Sequence, residues 1–237
     1  MIEHSILAEF RVSLSINFKD DLYSARMLDN ILRELSESKK KVVKFRELIN
    51  ILSRYSHCLI LMPGPSLKSL VSKFKIFDDR IVIVVDSAVD FIVSNDLVKY
   101  VKSSILNILV TDLDADINCL VEYCREVSPV CIVHAHGANI ERLHYVKNIE
   151  CSALCGTCQV AAPFLNFVEY CPGFTDGDRS IYIAHMAGLQ VHMLGFDPEA
   201  DISLSHKVVN EVKKAKLRFC RSVYDELRML GLRTFCL

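Results

Sequence analysis

Apolar positions recur at helical spacing from Asp20 to about Tyr55, with Leu28, Ile31, Leu32 and Leu35 on one stripe and Val42, Phe45, Ile49 and Leu52 repeating it. Strongly polar residues 36–41 interrupt the pattern. The segment 1–56 therefore reads as mainly helical, either two helices or one bent helix. Beyond it the texture changes to short apolar runs at residues 59–62, 81–85, 105–110, 130–133 and 191–194. Runs that are apolar on both pleat faces fit strands covered on both sides by helices. Helical stretches fall between them, at residues 67–74, 87–92, 114–126 and 139–145. This alternation predicts an α/β fold over residues 57–237, a Rossmann-like, doubly wound and mostly parallel sheet. A long C-terminal helix, from His206 to Leu230, aligns Val208, Val212, Ala215, Phe219, Val223, Leu227 and Leu230, and turns Lys207, Lys213, Lys214, Arg218 and Arg221 outward.

Length and composition narrow this picture. With 237 residues, 51% of them hydrophobic, the chain closes one generous core but not two. Twenty-eight basic residues nearly balance twenty-nine acidic ones, so no overall field favours nucleic acid or an anionic membrane. Two charge-poor stretches, residues 151–168 and 180–196, are broken by Thr157, Gln159, Pro163 and Asn166, and by His185, Gln190 and His192, and so read as buried globular segments. Glu3, Arg11 and Lys19 in the opening pattern argue against a secretory signal, and a cytoplasmic location is the expectation. Ten cysteines are scattered rather than framed for disulfides, and read as small buried apolar residues. Cys151, Cys155 and Cys158 have the spacing of the iron–sulfur loop of radical S-adenosylmethionine enzymes, but arrive too late in the chain for that barrel.

In open α/β sheets, ligands bind beyond the carboxyl ends of the strands, so the residues after each run carry the candidate chemistry. Pro63-Gly64-Pro65-Ser66 follows the first run, where Gly64 would admit a phosphate and Ser66 would cap a helix; a plain tight turn is the competing reading. Asp86, Asp112 and Asp114 leave the next two strands and could share one Mg²⁺; alternatively Asp114 merely caps a helix. Residues 173–179 place Thr175, Asp176, Asp178 and Arg179 in a glycine-bearing turn at a helix N-terminus. There Arg179 could hold phosphate oxygens and Asp176 or Asp178 an acceptor, against an ordinary capping turn with a local ion pair. His134 and His136 have zinc spacing but no third ligand nearby, so backbone-shaping or nucleotide contact is preferred. The last helix's basic face reads first as an ordinary solvated face, with Lys213 or Lys216 reaching a triphosphate as the sharper alternative.

The ordered pieces Pro63-Gly64-Pro65-Ser66-Leu67, Val110-Thr111-Asp112-Leu113-Asp114, His134-Ala135-His136-Gly137-Ala138-Asn139, Gly156-Thr157-Cys158-Gln159, Gly173-Phe174-Thr175-Asp176-Gly177-Asp178-Arg179 and Gly195-Phe196-Asp197 resemble the archaeal 6-hydroxymethylpterin pyrophosphokinases. The Asp86-Ser87-Ala88 and 111–114 segments also resemble acidic motifs of thiamine pyrophosphokinases. The resemblance implies ATP as co-substrate, Mg²⁺, and diphosphate transfer to a hydroxymethyl pterin for a C1 carrier of the methanopterin or folate type. It implies catalytic roles for Asp112, Asp114, Asp176, Asp178 and Arg179, and metal binding by Asp86, Asp112 and Asp114. Nucleotide contacts would come from Gly64, Pro65, Ser66, His134, His136, Gly137, Asn139, Thr157, Gln159 and Thr175. Ala138 stands where the family commonly has an acid, and Cys158 where it has a small hydroxyl residue. Small-molecule partners are expected, with neither nucleic acid nor membrane, and homo-oligomerisation is left open. The rival readings are a glycosyltransferase akin to the flagellin nonulosonate transferases and a non-catalytic nucleotide-binding module.

Overall fold

A computed structural model describes residues 17–72, 80–201, 204 and 210–236. The start of the expected C-terminal helix, including Lys207 and Val208, and the end of the expected 67–74 helix lie outside the described residues.

Residues 20–55 form two helices, α1 (Phe18–Glu37) and α2 (Phe45–Leu52). Asn17 caps α1 by accepting from the Lys19 N–H at 3.0 Å. The polar stretch between the helices leads into one parallel bridge, Val42 to Leu154, rather than continuing the helix. The five apolar runs are strands β1 (His57–Leu61), β2 (Ile81–Val85), β3 (Leu106–Thr111), β4 (Val130–Ala135) and, later, β7 (Gln190–Leu194). Three further strands were not visible in the hydrophobic pattern: β5 (Ala153–Cys158), β6 (Val168–Tyr170) and β8 (Thr234–Cys236). The helices between are α3 (Ala88–Ser94), α4 (Val98–Lys102), α5 (Ile117–Val127), α6 (Asp176–Met186) and α7 (Glu211–Met229), with 3₁₀ turns over Pro65–Ser72 and Gly137–Asn148. Asp116, not Asp114, caps α5, accepting from the N–H groups of Asn118 and Cys119.

The eight strands form one sheet in the order β6-β5-β4-β3-β2-β1-β7-β8, every pair parallel. Alternation along the strands divides the core in two. Leu59, Leu61, Val82 and Val84 face α1, α3 and α5, while Cys58, Ile60, Ile81 and Ile83 face α2, α6 and α7. The N-terminal helices thus cover opposite faces of the sheet and share its two cores. Cys155 and Cys158 fall on opposite faces of β5, as an odd separation on a pleated strand requires, so the three-cysteine spacing does not build one metal loop. The nine cysteines whose side chains are described are all free thiols. No helix among the described residues is long and apolar enough to cross a membrane.

From β1 the chain winds outward to β6 and then returns to place β7 on the other side of β1. The direction of winding therefore reverses between β1 and β7, which opens a crevice above their carboxyl ends.

Candidate active site

The loops after β1 and β7 are locked together at that reversal. The Met62 N–H donates to the Leu194 carbonyl at 2.8 Å, and the Gly64 N–H to the Gly195 carbonyl at 3.0 Å. Gly195 has φ +76, and a Cβ there would lie 1.8 Å from the Met62 carbonyl oxygen. A Cβ on Gly64 would meet Asp197 Oδ2 and the Gly195 oxygen at 2.4 Å. Asp197 Oδ2 accepts from both the Ser66 N–H, at 2.8 Å, and the Ser66 hydroxyl, at 2.7 Å. Ser66 therefore ties the two loops together.

Beside this lock, three carboxylates converge. Asp86 leaves β2 with φ +23 and is 4% exposed; Thr111 on β3 donates a short hydrogen bond to its Oδ1, and Ser87 donates to Oδ2 at 3.2 Å. Asp112 follows β3, one strand over, and its N–H donates to Asp176 Oδ2 at 3.0 Å. Asp176 opens α6 and is fixed by Arg179, whose Nη1 is 2.8 Å from Oδ1. Ligand oxygens of Asp86, Asp112 and Asp176 all lie within 4.8 Å of one another. Asp178 is committed to capping α6, accepting from the N–H groups of Phe174, Thr175 and Arg179. Arg179 is buried behind Asp176 and also donates to the Gly173 carbonyl.

The charge balance of this trio is uneven. Burial, reinforced by the charge of Asp112, pushes Asp86 up to about 8. The same two causes, in that order, push Asp176 well above the carboxylate range, although Arg179 opposes them. Burial also pushes Asp112 upward, but His136, Arg179 and the contact with Asp176 outweigh it and leave Asp112 below its usual value. His136 Nδ1 accepts from the Ala138 N–H at 3.2 Å, which leaves Nε2 as the ring nitrogen nearer Asp112, 3.4 Å from its Oδ2. Asp114 stands apart at the rim, its side chain 66% exposed and 3.4 Å from Arg142 Nη1.

A cavity of about 360 Å³ opens over the rim. Gly64, Pro65, Asp86, Asp112, Asp114, Thr175 and Asp176 line it, as do Phe196, Asp197, Lys213 and Lys216. Lys213 and Lys216 reach the cavity as the basic face of the last helix allows, and Phe196 and Asp197, which carried no site role in the sequence, complete its walls. Asp197 carries the same signal as the others, a polar residue just past a strand, whereas the lysines reach the cavity through a helix far along the chain.

The remaining candidates gather elsewhere on the rim, beneath α1. His134 is buried with its Nδ1 3.0 Å from Thr157 Oγ1. Asn139 donates to the carbonyls of Asp112 and His134, each at 2.8 Å, and accepts from the His136 N–H. Asp21 on α1, 1% exposed, accepts from the Gly137 N–H at 2.8 Å and from Gln159 Nε2 at 2.9 Å. His134, Asn139 and Thr157 are joined in one network and Gly137 and Gln159 in a second through Asp21, both outside the lining of the cavity. Asp21 had no sequence signal, being one polar residue among many on an amphipathic helix.

Fold and rim together define a Rossmann-like α/β protein with three carboxylates converging on a cavity at the topological switch point. No family model matches the chain. Three curated proteins do, each named 6-hydroxymethyl-7,8-dihydropterin pyrophosphokinase. That of Pyrococcus furiosus is 30% identical over 226 residues, spanning 92% of this chain and 89% of its own. That of Methanocaldococcus jannaschii is 26% identical over 230 residues, spanning 88% and 87%. That of Methanothermobacter thermautotrophicus is 28% identical over 189 residues, spanning 74% and 75%. The chain belongs to the 6-hydroxymethyl-7,8-dihydropterin pyrophosphokinase family.

Proposed function

We propose that this protein transfers diphosphate from ATP to the hydroxymethyl group of 6-hydroxymethyl-7,8-dihydropterin, giving the pterin diphosphate and AMP. The observation that carries the reading is the carboxylate trio facing the switch-point cavity, in a chain matched over nearly its whole length to enzymes of that name. In the reaction the hydroxymethyl oxygen bonds to the β-phosphorus as the bond from that phosphorus to the α–β bridging oxygen breaks. AMP leaves with the bridging oxygen, and the hydroxyl proton is released. Catalysis of such transfers rests mainly on positioning and charge neutralisation.

Three carboxylate oxygens within 4.8 Å of one another, with no thiol or imidazole among them, suit a hard divalent cation such as Mg²⁺. Asp86, Asp112 and Asp176 would hold it, and once bound it would offset the charge of the nucleotide phosphates. Arg179 and the Asp112 N–H fix the carboxylate of Asp176, while His136 orients that of Asp112. Lys213 and Lys216 supply cationic walls for the triphosphate, and the loop around Gly64 lets it approach the backbone. Phe196, half-buried against Tyr224, offers an aromatic face to a flat heterocycle. Asp114 at the mouth, outside the trio and largely exposed, is a carboxylate that could take up the released proton.

AMP formation from ATP, Mg²⁺ and 6-hydroxymethyl-7,8-dihydropterin tests the proposal. Pterin-dependent AMP is the expected result. ATP binding without AMP release would leave only a nucleotide-binding module, and transfer from a nucleotide-activated sugar would favour the glycosyltransferase reading.

A further inference from the structure

One cluster of nucleophilic side chains lies outside the rim and has no part in phosphoryl transfer. Cys124 on α5, Cys131 near the start of β4 and Cys151 just ahead of β5 meet at the end of the strands remote from the cavity. Cys124 Sγ and Cys131 Sγ are 3.8 Å apart, and Cys151 lies close enough to Cys131 for the two thiols to perturb each other. Cys131 thus stands between two other thiols. Their access differs, because Cys124 and Cys131 are buried whereas Cys151 is only half-buried.

Their chemistry differs as well. Burial raises Cys58 and Cys171 to about 12, and raises Cys155 and Cys220 well above the ordinary thiol value. Cys119 is partly exposed, yet burial and the neighbouring Asp90, Asp116 and Glu122 raise it too. Cys151 moves the other way: the hydrogen bond from Cys131 stabilises its thiolate, burial opposes this, and the charge of Lys40 adds to the lowering. Lys40 is held nearby by donating to the Ile149 carbonyl at 2.8 Å and the Lys147 carbonyl at 3.2 Å.

We propose that these three thiols form an oxidation site, in which a peroxide-class oxidant reacts at Cys151 and a disulfide closes onto Cys131, with Cys124 next in line for exchange. In the first step the Cys151 thiolate sulfur attacks a peroxide oxygen, the O–O bond breaks, and hydroxide leaves behind a sulfenic acid. In the second, the Cys131 sulfur attacks the Cys151 sulfur, the S–O bond breaks, and the departing hydroxide takes the Cys131 proton as water. Overall two thiols lose two hydrogens and one peroxide becomes two waters. Attack by the Cys124 sulfur on Cys131 then breaks the first disulfide, forms a second within the core and returns Cys151 as a thiol. Either bridge lies away from the carboxylate trio, so activity is retained while the starts of β4 and β5, or of α5 and β4, are stapled.

The test treats the reduced, folded full chain with equimolar hydrogen peroxide, blocks remaining thiols by alkylation and maps the peptides. The expected product has lost two hydrogens and links Cys131 to Cys151 or to Cys124, with Cys58, Cys155, Cys171 and Cys220 alkylated only after unfolding. Cys151→Ser is expected to slow bridge formation by about tenfold or more, and Cys119→Ser to leave it unchanged. On the wild-type chain, limiting alkylation is expected to modify Cys151 ahead of Cys119, a readout that needs no variant. The proposal is overturned if no bridge forms, if Cys151 gains oxygen while Cys131 stays a free thiol, if Cys119 is alkylated first, or if Cys151→Ser bridges at the wild-type rate.

Discussion

Asp86 is held in a setting that favours its protonated form, and this fixes the sign of its contribution to stability. Its unfolded value is the ordinary 3.8 and its folded value about 8, so the folded chain retains a proton that the unfolded chain has lost. The stabilising contribution of this group is full below about pH 4 and is lost as pH rises through 8. Without divalent cation, the thermal midpoint of the wild type is therefore expected to fall relative to that of Asp86→Asn between those limits, and excess Mg²⁺ is expected to narrow the difference at the alkaline end. Thermal melts of both proteins across that range, with and without Mg²⁺, provide the check; parallel curves would refute the assignment. Asp112→Asn removes the trio's charged member and is expected to cut AMP formation by about a hundredfold or more, with an unchanged far-ultraviolet spectrum. Phe196→Ala is expected to raise the KM for the pterin several-fold while leaving that for ATP nearly unchanged. That Asp86 and Asp112 would stand together was legible in the sequence because each leaves the end of an apolar strand. The choice between Asp114 and Asp176 as their companion was not, since it depends on a hydrogen bond from the Asp112 N–H across 64 positions of chain.

At the scale of elements, α1 is tied down by chemistry that a hydrophobic pattern does not encode. Asp21 satisfies the Gly137 N–H and Gln159 together, and Leu32 packs where Gly156 leaves no side chain; a Cβ there would be 2.5 Å from Leu32 Cδ1. That close approach explains why β5 was missed: the run Ala153–Cys158 is built of small residues, to admit a helix, rather than of the branched residues that announce a strand. Asp21→Ala strands two polar partners and is expected to cost about 2 kcal/mol in urea unfolding. Gly64→Ala forces Asp197 away from Ser66 and is expected to cost on the order of 1–3 kcal/mol, with a matching fall in thermal midpoint. A neutral outcome there would mean that the lock between the loops after β1 and β7 is not rigid.

For the whole molecule, the decisive feature is registry. β2, β3 and β4 are aligned so that Val85 pairs with Val110 and Thr111 with Val133, which delivers Asp86 and Asp112 to one rim from adjacent strands. The reversal between β1 and β7 then places the crevice beside them. The alternating pattern was enough to foresee the parallel α/β class and the polar strand ends, because both follow from periodicity. It could not give the strand order or the position of the reversal, which are set by long-range packing. Diphosphate transfer requires that the β- and γ-phosphates travel together. ATP labelled at the γ-phosphate and, in parallel, at the α-phosphate should send the γ label into the pterin product and keep the α label in AMP; recovery of the α label in ADP, or no label on the pterin, would contradict it.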